Sequence, residues 1–324
     1  VKPFRMALKA KPAMVMTAFN AIDRKPISGN KELLKGLLRD KEGFEGTVIS
    51  DWGSIGQLEE QGVAADMEEA AIQASEAGVD IDMTSPAYML CLAQLVESGK
   101  LPKAFVDESA FRVLMMKNQL GLFENPFAGL GKSGKLTLHN REKAYQLAGE
   151  SCVLLKNEKK ILPLSVKKKV IWAGPYTASR EFLSRWSIFG EHEAVETIED
   201  ILQKKQIEAE CITGCNILSD EECKVWQVEQ ELSDKPRDEQ WLETITHEDT
   251  VVCVLGEHES QSGEAASRAF LTLPEEQQVL FEKIAERTSN IVTVVIAGRP
   301  LDLRRISEKS KAVIMAWRPG TMGA

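Results

Sequence analysis

Apolar runs that alternate with helical segments constrain this chain more than any other feature. In the second half the runs are Val170–Ala173, Glu208–Ile212, Thr250–Leu255, Ile291–Ala297 and Ala312–Trp317. Helical patterns separate most of them. This alternation predicts an α/β domain with a mainly parallel sheet covered on both faces, because each parallel strand needs a crossover that packs back onto the sheet. One earlier run, Val153–Asn157, follows a helix expected over Glu142–Ser151.

The first part carries a second βα series. Ala13–Thr17 reads as a short buried strand. Lys31–Asp40 places Leu33, Leu34, Leu37 and Leu38 at helical spacing, and Gly43 stops that helix. Thr47–Ser50 follows as a strand. Asp66 with Glu69 makes a capping box for the next helix, and Gly78 ends it. Val79–Met83 reads as a third strand. A helix over Ala87–Ser98 stops at Gly99. Another is expected to start at Asp107, stapled by Val106 and Phe111, with Leu114, Met115 and Met116 assigned to a core.

Between the two series, residues 121–142 are rich in Gly, Pro and Lys and include Asn125-Pro126 and Gly129-Leu130-Gly131. Turn chemistry this dense reads as a linker. The expected division is 1–120, a linker at 121–142, and 143–324, in keeping with the length of 324 residues. Three strands before the linker are too few to close an eight-stranded barrel. Both ends of the sequence therefore read as cut, with an open apolar flank. The start, Val1-Lys2-Pro3-Phe4, has no initiator Met and no signal-peptide pattern, so it is read as processed or truncated and does not fix the compartment.

Composition excludes some classes. A formal charge of −9 argues against nucleic acid and anionic membranes, since phosphate binding needs a basic face. No apolar run reaches the ~18 residues of a membrane span. Six cysteines are scattered without a Cys-x-x-Cys pair. They read as buried free thiols, with a Cys211–Cys215 or Cys215–Cys223 bridge left open.

Two segments carry chemistry. Gly46-Thr47-Val48-Ile49-Ser50-Asp51-Trp52-Gly53 is an apolar strand that ends on a carboxylate and an indole. Catalytic groups of (β/α) barrels lie at that end of the strands. The bland alternative is an Asp51 helix cap ahead of Ile55 and Leu58. The second segment, Gly256 to Arg268, carries Glu257, His258, Glu259 and Glu264. Two carboxylates facing one bond are the minimal equipment for cleaving a glycoside.

Taken in order, several segments resemble glycoside hydrolase family 3, a family of β-glucosidases and β-xylosidases, and come closest to its bacterial periplasmic β-glucosidases. They are Val15–Asn20, Leu34–Phe44, Val48–Gly53, Ala77–Asp80, Gly121–Phe123, Ser151–Asn157, Gly256-Glu257, Gly263–Arg268 and Gly298–Leu301. The resemblance implies the C-terminal portion of a (β/α)8-type barrel followed by an (α/β)6 sandwich, with the active site between them. It implies a retaining exo-acting β-glycosidase with Asp51 as nucleophile and Glu264 as acid/base. Asp51 must then be ionised, and Glu264 must begin protonated. Trp52, Phe19, Met83, Trp186 and Arg268 are the implied sugar-site residues. Trp52 would wall one sugar face, and Arg268 would orient the Glu264 loop or meet a hydroxyl. Phe19 stands where the family often has Tyr. The strands that supply the family's other sugar-gripping groups would precede Val1, so the chain is expected to be the middle of a longer enzyme.

The resemblance further implies β-linked oligosaccharide and water as reactants, no cofactor, and a periplasmic or secreted location. A homodimer stays open. Specificity for xylose, and a non-catalytic carbohydrate-binding module, are the alternatives. Ala173-Gly174-Pro175 and Ala297-Gly298-Arg299-Pro300 sit where parallel sheets bind nucleotides, yet no Gly-x-Gly-x-x-Gly or P-loop accompanies them. His258 has no metal-spaced partner in sequence, so no metal is expected. His139, His192 and His247 read as surface residues. Glu264 could instead pair with Arg268. Glu257 reads as structural, and Glu259 as a rival acid. Trp186 could equally be a core or interface residue, and 229–243 a solvated helix face or an insertion.

Overall fold

A computed structural model describes residues 2–127, 130, 138–165, 169–188, 190–228 and 240–324. The chain divides into two compact units, Val1–Ser133 and Gly134–Ala324.

In the first unit, β1 (Met14–Met16) lies parallel to β2 (Thr47–Ile49), in register from Met14–Thr47 to Met16–Ile49. The expected third strand, Val79–Met83, is reduced to a single bridge between Ile49 and Ile81. Side-chain demand explains this. Asp80 turns inward to two arginines, and Asp82 accepts from Ser85 and from the Tyr88 amide, which bends the chain toward the next helix. The core gathers Val48, Ile55, Leu58, Val79 and Leu95 against the alanine face Ala70, Ala71, Ala74 and Ala77.

That alanine face belongs to helix Met67–Ala77, whose signals were legible in sequence. The Asp66 carboxylate accepts from the Glu69 amide at 2.9 Å, the Glu69 carboxylate accepts from the Ala65 amide at 2.7 Å, and Gly78 closes the helix at φ 91°. Helix Ala87–Glu97 ends just before Gly99. Segment Glu32–Lys41 winds more widely than an α-helix: the Glu42 amide reaches back five residues to the Leu37 carbonyl at 3.0 Å.

The next helix spans Lys103–Gln119, one turn earlier than expected. Pro102 precedes its first residue, and Asp107 lies inside it, paired with Lys103. The core assignment for this helix fails. None of its residues is buried, and Phe111, Leu114 and Met115 are exposed, so the Val106–Phe111 staple is not made as expected. Met14 and Met16 on β1 are exposed as well.

In the second unit, helix Leu138–Ser151 begins inside the segment expected to be linker. Gly129 and Gly131 of that segment lie outside the described residues, as do 229–239 of the acidic stretch and the His139 side chain. Six strands follow: β3 (Val153–Asn157), β4 (Val170–Ala173), β5 (Ala209–Ile212), β6 (Val251–Gly256), β7 (Ile291–Ile296) and β8 (Ala312–Trp317). They form one sheet in the order β3-β8-β7-β6-β4-β5. All neighbours are parallel except β3, which runs antiparallel to β8 at the edge.

Both faces of this sheet are covered. Val251, Cys253 and Leu255 of β6 enter one core cluster, and Val252 and Val254 enter the other. β7 divides the same way, Ile291 and Val295 against Val292 and Ile296. A strand buried on both faces reads as a continuous apolar run, which is why these strands were visible in sequence. All six cysteines are free. Only Cys215 and Cys253 are buried, and Cys152 is exposed, so the fully buried reading holds for two of them.

Candidate functional site

Strand order reverses between β4 and β6: the chain leaves β4 for β5 on one side, then returns to β6 on the other. Ligands of open parallel sheets bind outside the carboxyl ends of strands at such a reversal. Gly174 ends β4 there at φ 116°, where any Cβ would strike the Val254 carbonyl of β6. Three strand ends are then tied together. The Tyr176 hydroxyl after β4 donates to the Glu257 carbonyl after β6. Arg318 after β8 donates to the same carbonyl at 2.6 Å and to the Glu181 carbonyl at 2.9 Å. Burial pushes the Tyr176 hydroxyl up to about 12, so it stays a donor at neutral pH.

The loop that leaves β6 is held from beneath by Glu257, whose side chain is fully buried. Its carboxylate pairs with Arg268 at 2.7 Å and faces the Arg299 Nε at 3.5 Å. Arg299, after β7, donates to the Gln261 and Ala266 carbonyls. The pairing of Arg268 with Glu264 is therefore not made. The guanidinium instead serves the acid that burial leaves most in need of a counter-charge. Glu264 is exposed, between Gly263 at φ 106° and Ala265 at φ 57°. Arg185 donates to its carbonyl at 3.2 Å, and its carboxylate has no partner among the described residues. Trp186 is 64% exposed, which removes the core reading for it. Its Nε1 lies 3.9 Å from where a Gly263 Cβ would stand.

Glu257→Gln keeps the volume but removes the charge that holds Arg268. The expected cost is about 1–3 kcal/mol, the range for unpairing a buried charged hydrogen bond. Urea unfolding of the variant checks it. A midpoint equal to the wild type would show that Arg268 does not depend on Glu257.

His258 and His192 are not the isolated side chains that sequence spacing suggested. His258 is buried, with Nδ1 against the Ser260 hydroxyl at 2.9 Å and Nε2 3.7 Å from Glu181. Burial, with Arg318 and His192 nearby, pulls His258 down to about 4. His192 is no free surface residue, since its Nδ1 is buried 3.7 Å from the other Glu181 oxygen. Burial holds the Glu181 carboxyl above the usual range. His247 is 88% exposed, as read. Glu181, Tyr176 and Arg318 escaped sequence reasoning. Position soon after an apolar strand was the available signal for Tyr176 and Arg318, and Glu181 had none.

In the first unit, Asp51 stands two residues beyond β2. A chain of buried hydroxyls prepares its backbone. Ser54 meets Ser28 at 2.8 Å, Ser28 meets Thr17 at 2.8 Å, and Thr17 accepts the Asp51 amide at 3.3 Å. The Ser50 hydroxyl accepts the Met83 amide at 2.7 Å, and the Met83 carbonyl accepts the Gly53 amide at 2.8 Å. Asp51 Oδ1 accepts the Trp52 amide at 2.7 Å. It therefore closes a turn and does not cap helix Gln57–Glu60, whose cap position is Gly56. Among the described residues no cation pairs with Asp51. Trp52 is 68% exposed and Phe19 is exposed, while Met83 is partly buried. The hydroxyl chain was missed because Thr17, Ser28 and Ser54 share no sequence spacing that marks contact.

Comparison with known proteins accounts for both units. Residues 1–116 match the glycosyl hydrolase family 3 N terminal domain, and residues 152–324 match the glycosyl hydrolase family 3 C-terminal domain. A periplasmic beta-glucosidase of Salmonella typhimurium is 32% identical over 99% of this chain and 44% of its own length. A beta-xylosidase of Formosa agariphila is 28% identical over 98% of this chain and 45% of its own. A beta-glucosidase from Listeria innocua, solved with glucose, superposes with TM-score 0.87 at 34% identity, covering 99% of this chain and 43% of that one. The chain thus spans less than half the length of these relatives. Two matched domains in order and a shared fold along nearly the whole chain give one conclusion: it belongs to glycosyl hydrolase family 3.

Proposed function

We propose that the protein is a retaining, exo-acting β-glucosidase that removes terminal non-reducing β-D-glucosyl residues. Asp51 is the nucleophile and Glu264 the acid/base. In the first step the Asp51 carboxylate attacks the anomeric carbon, the glycosidic C–O bond breaks, and the departing oxygen takes the Glu264 proton. In the second, Glu264 takes a proton from water, whose oxygen displaces Asp51 and regenerates both carboxyl states. The observation that carries this reading is Asp51. It follows a largely buried parallel strand, its amide is anchored by Thr17, and its carboxylate is free of any cation among the described residues. Glu264 fits its role by exposure on a loop braced from below by Glu257 and Arg299.

Trp52 and Phe19 are proposed as apolar walls for sugar, and Met83, Arg268 and Trp186 as further lining. Arg268 acts through Glu257 and the loop. The relatives support glucose as the sugar: one is named a beta-glucosidase, and one was solved with glucose. A xylose-directed reading is favoured by the Formosa relative. A periplasmic location follows the Salmonella name, and no described helix is long and apolar enough to cross a membrane.

Leaving-group dependence tests the reading in the intact protein. Glu264→Ala should slow substrates with poor leaving groups by about 10²–10⁴-fold, the usual worth of a general acid, and activated aryl glucosides far less. Azide should partly restore the variant by replacing activated water. Equal losses across leaving groups with no azide rescue would move the role to Glu259 or Glu257. Aryl β-xylosides turned over faster than aryl β-glucosides would favour the xylosidase reading.

A further inference from the structure

Glu181, His192 and Glu259 offer one ligand atom each, all within 4.8 Å of one another. The three come from different segments: the turn after β4, the short turn His192–Ala194, and the turn Glu259–Gln261 after β6. Two of the atoms that meet here are orphans. The Glu181 Oε2 and the His192 Nδ1 are buried and have no hydrogen-bond partner among the described residues. His258, with a side chain only 9% exposed, turns its Nε2 toward the same Glu181 oxygen from 3.7 Å. Glu181, His258 and Glu259 border a cavity of about 590 Å³ that Arg185, Trp226 and Ala265 also line.

A buried polar atom left unsatisfied costs about 1–3 kcal/mol, and more when charged. The orphaned Glu181 Oε2 faces His258 Nε2 and the orphaned His192 Nδ1 faces Glu181 Oε1, each across 3.7 Å, a gap too wide for a hydrogen bond and open to a third body. Water could bridge one pair but would leave two carboxylates side by side. A divalent cation satisfies all of them at once. The donor set, imidazole with two carboxylates and a second imidazole at hand, suits borderline transition ions better than the all-oxygen shells that Ca²⁺ and Mg²⁺ prefer. Bonds of about 2.0–2.2 Å to a tetrahedral ion space its ligands roughly 3.4 Å apart. Among the described residues the nearby cations are engaged elsewhere: Arg318 on the Glu181 and Glu257 carbonyls and the Tyr176 hydroxyl, and Arg185 on the Glu264 carbonyl.

We propose that Glu181, His192 and Glu259 form a binding site for a divalent transition cation of the Zn²⁺ kind, with His258 as a further ligand in reach. Such an ion ties the segments after β4 to the loop after β6. It would steady that loop without touching the sugar chemistry, and it holds whether or not Glu264 is the acid.

Co²⁺ is the probe, titrated alone into the metal-free intact protein. One equivalent should produce visible d–d absorption of a low-coordinate nitrogen and oxygen site. His192→Ala, Glu181→Gln and Glu259→Gln should each weaken binding at least tenfold, while the remote Glu243→Gln should not. Zn²⁺ should raise the melting temperature of the wild type and not of His192→Ala. Melting without metal checks that each variant folds, and any one that folds decides the matter. Binding unchanged in the folded variants, no spectral change, or a thiolate charge-transfer band that survives the substitutions would each overturn the proposal.

Discussion

Asp51→Ala should remove essentially all glycoside hydrolysis from the intact protein, a fall on the order of 10⁴-fold in kcat or more. Removal of a nucleophile that acts as one unit with its partners costs that much in other covalent enzymes. Ordinary loss of packing cannot explain such a fall, because among the described residues the Asp51 side chain makes one hydrogen bond, to the Trp52 amide at 2.7 Å. Asp51→Asn separates the two ideas further. The amide oxygen can still accept from Trp52, so the turn should hold and the melting temperature should move by less than about 1 kcal/mol in equivalent stability. Activity should nonetheless vanish, since an amide does not attack the anomeric carbon. Mass spectrometry after a 2-fluoro-glucoside should show one added glycosyl group on a peptide that contains Asp51. Label on any other residue, or an Asp51→Asn variant that keeps more than a hundredth of the activity, would sink the assignment and favour a binding role for the chain.

The second unit was far more legible in sequence than the first. Its strands are sandwiched between two layers, so Val251 to Leu255 had to be apolar without interruption. The edge strand β3 was legible as a strand but not as antiparallel, because direction is set by the partner and leaves no trace in the run itself. In the first unit the helix caps were readable, since Asp66, Glu69 and Gly78 act on their own neighbours. Val79–Met83 misled because Asp80 and Asp82 override strand geometry through partners distant in sequence. The candidate site divides along the same line. Asp51 and Glu264 stand in short local motifs. The Glu181–His192–Glu259 cluster and the Thr17–Ser28–Ser54 chain arise only when the fold brings remote segments together. Arg268 pairs with Glu257 for the same reason: burial, which sequence shows poorly, decides which acid needs it more.

Asp80 is where the fold of the first unit is most exposed to a single substitution. Its carboxylate is fully buried, meets Arg39 at 2.7 Å and Arg112 at 2.8 Å, and accepts the Val48 amide of β2 at 2.8 Å. Arg39 also donates to the Gly46 and Gly78 carbonyls, so the carboxylate joins the wide helix, β2 and the turn before Ile81. Asp80→Ala leaves the largely buried Arg39 guanidinium without its anion, Arg112 with Glu108 alone, and one strand amide without its acceptor. Breaking a buried pair from one side costs about 3–5 kcal/mol, because the surviving charge stays desolvated. Asp107→Ala is the matched control. It breaks an exposed pair with Lys103, worth about 0–1 kcal/mol. Urea unfolding of the intact protein should therefore separate the two variants clearly, and hydrogen exchange at the Val48 amide should speed up only in Asp80→Ala. Adding Arg39→Met to Asp80→Ala should recover part of the loss, since one stranded charge is gone. Equal midpoints for the two single variants would mean that water reaches the Asp80 site, and that β2, which leads to Asp51, is anchored by packing and its pairing with β1.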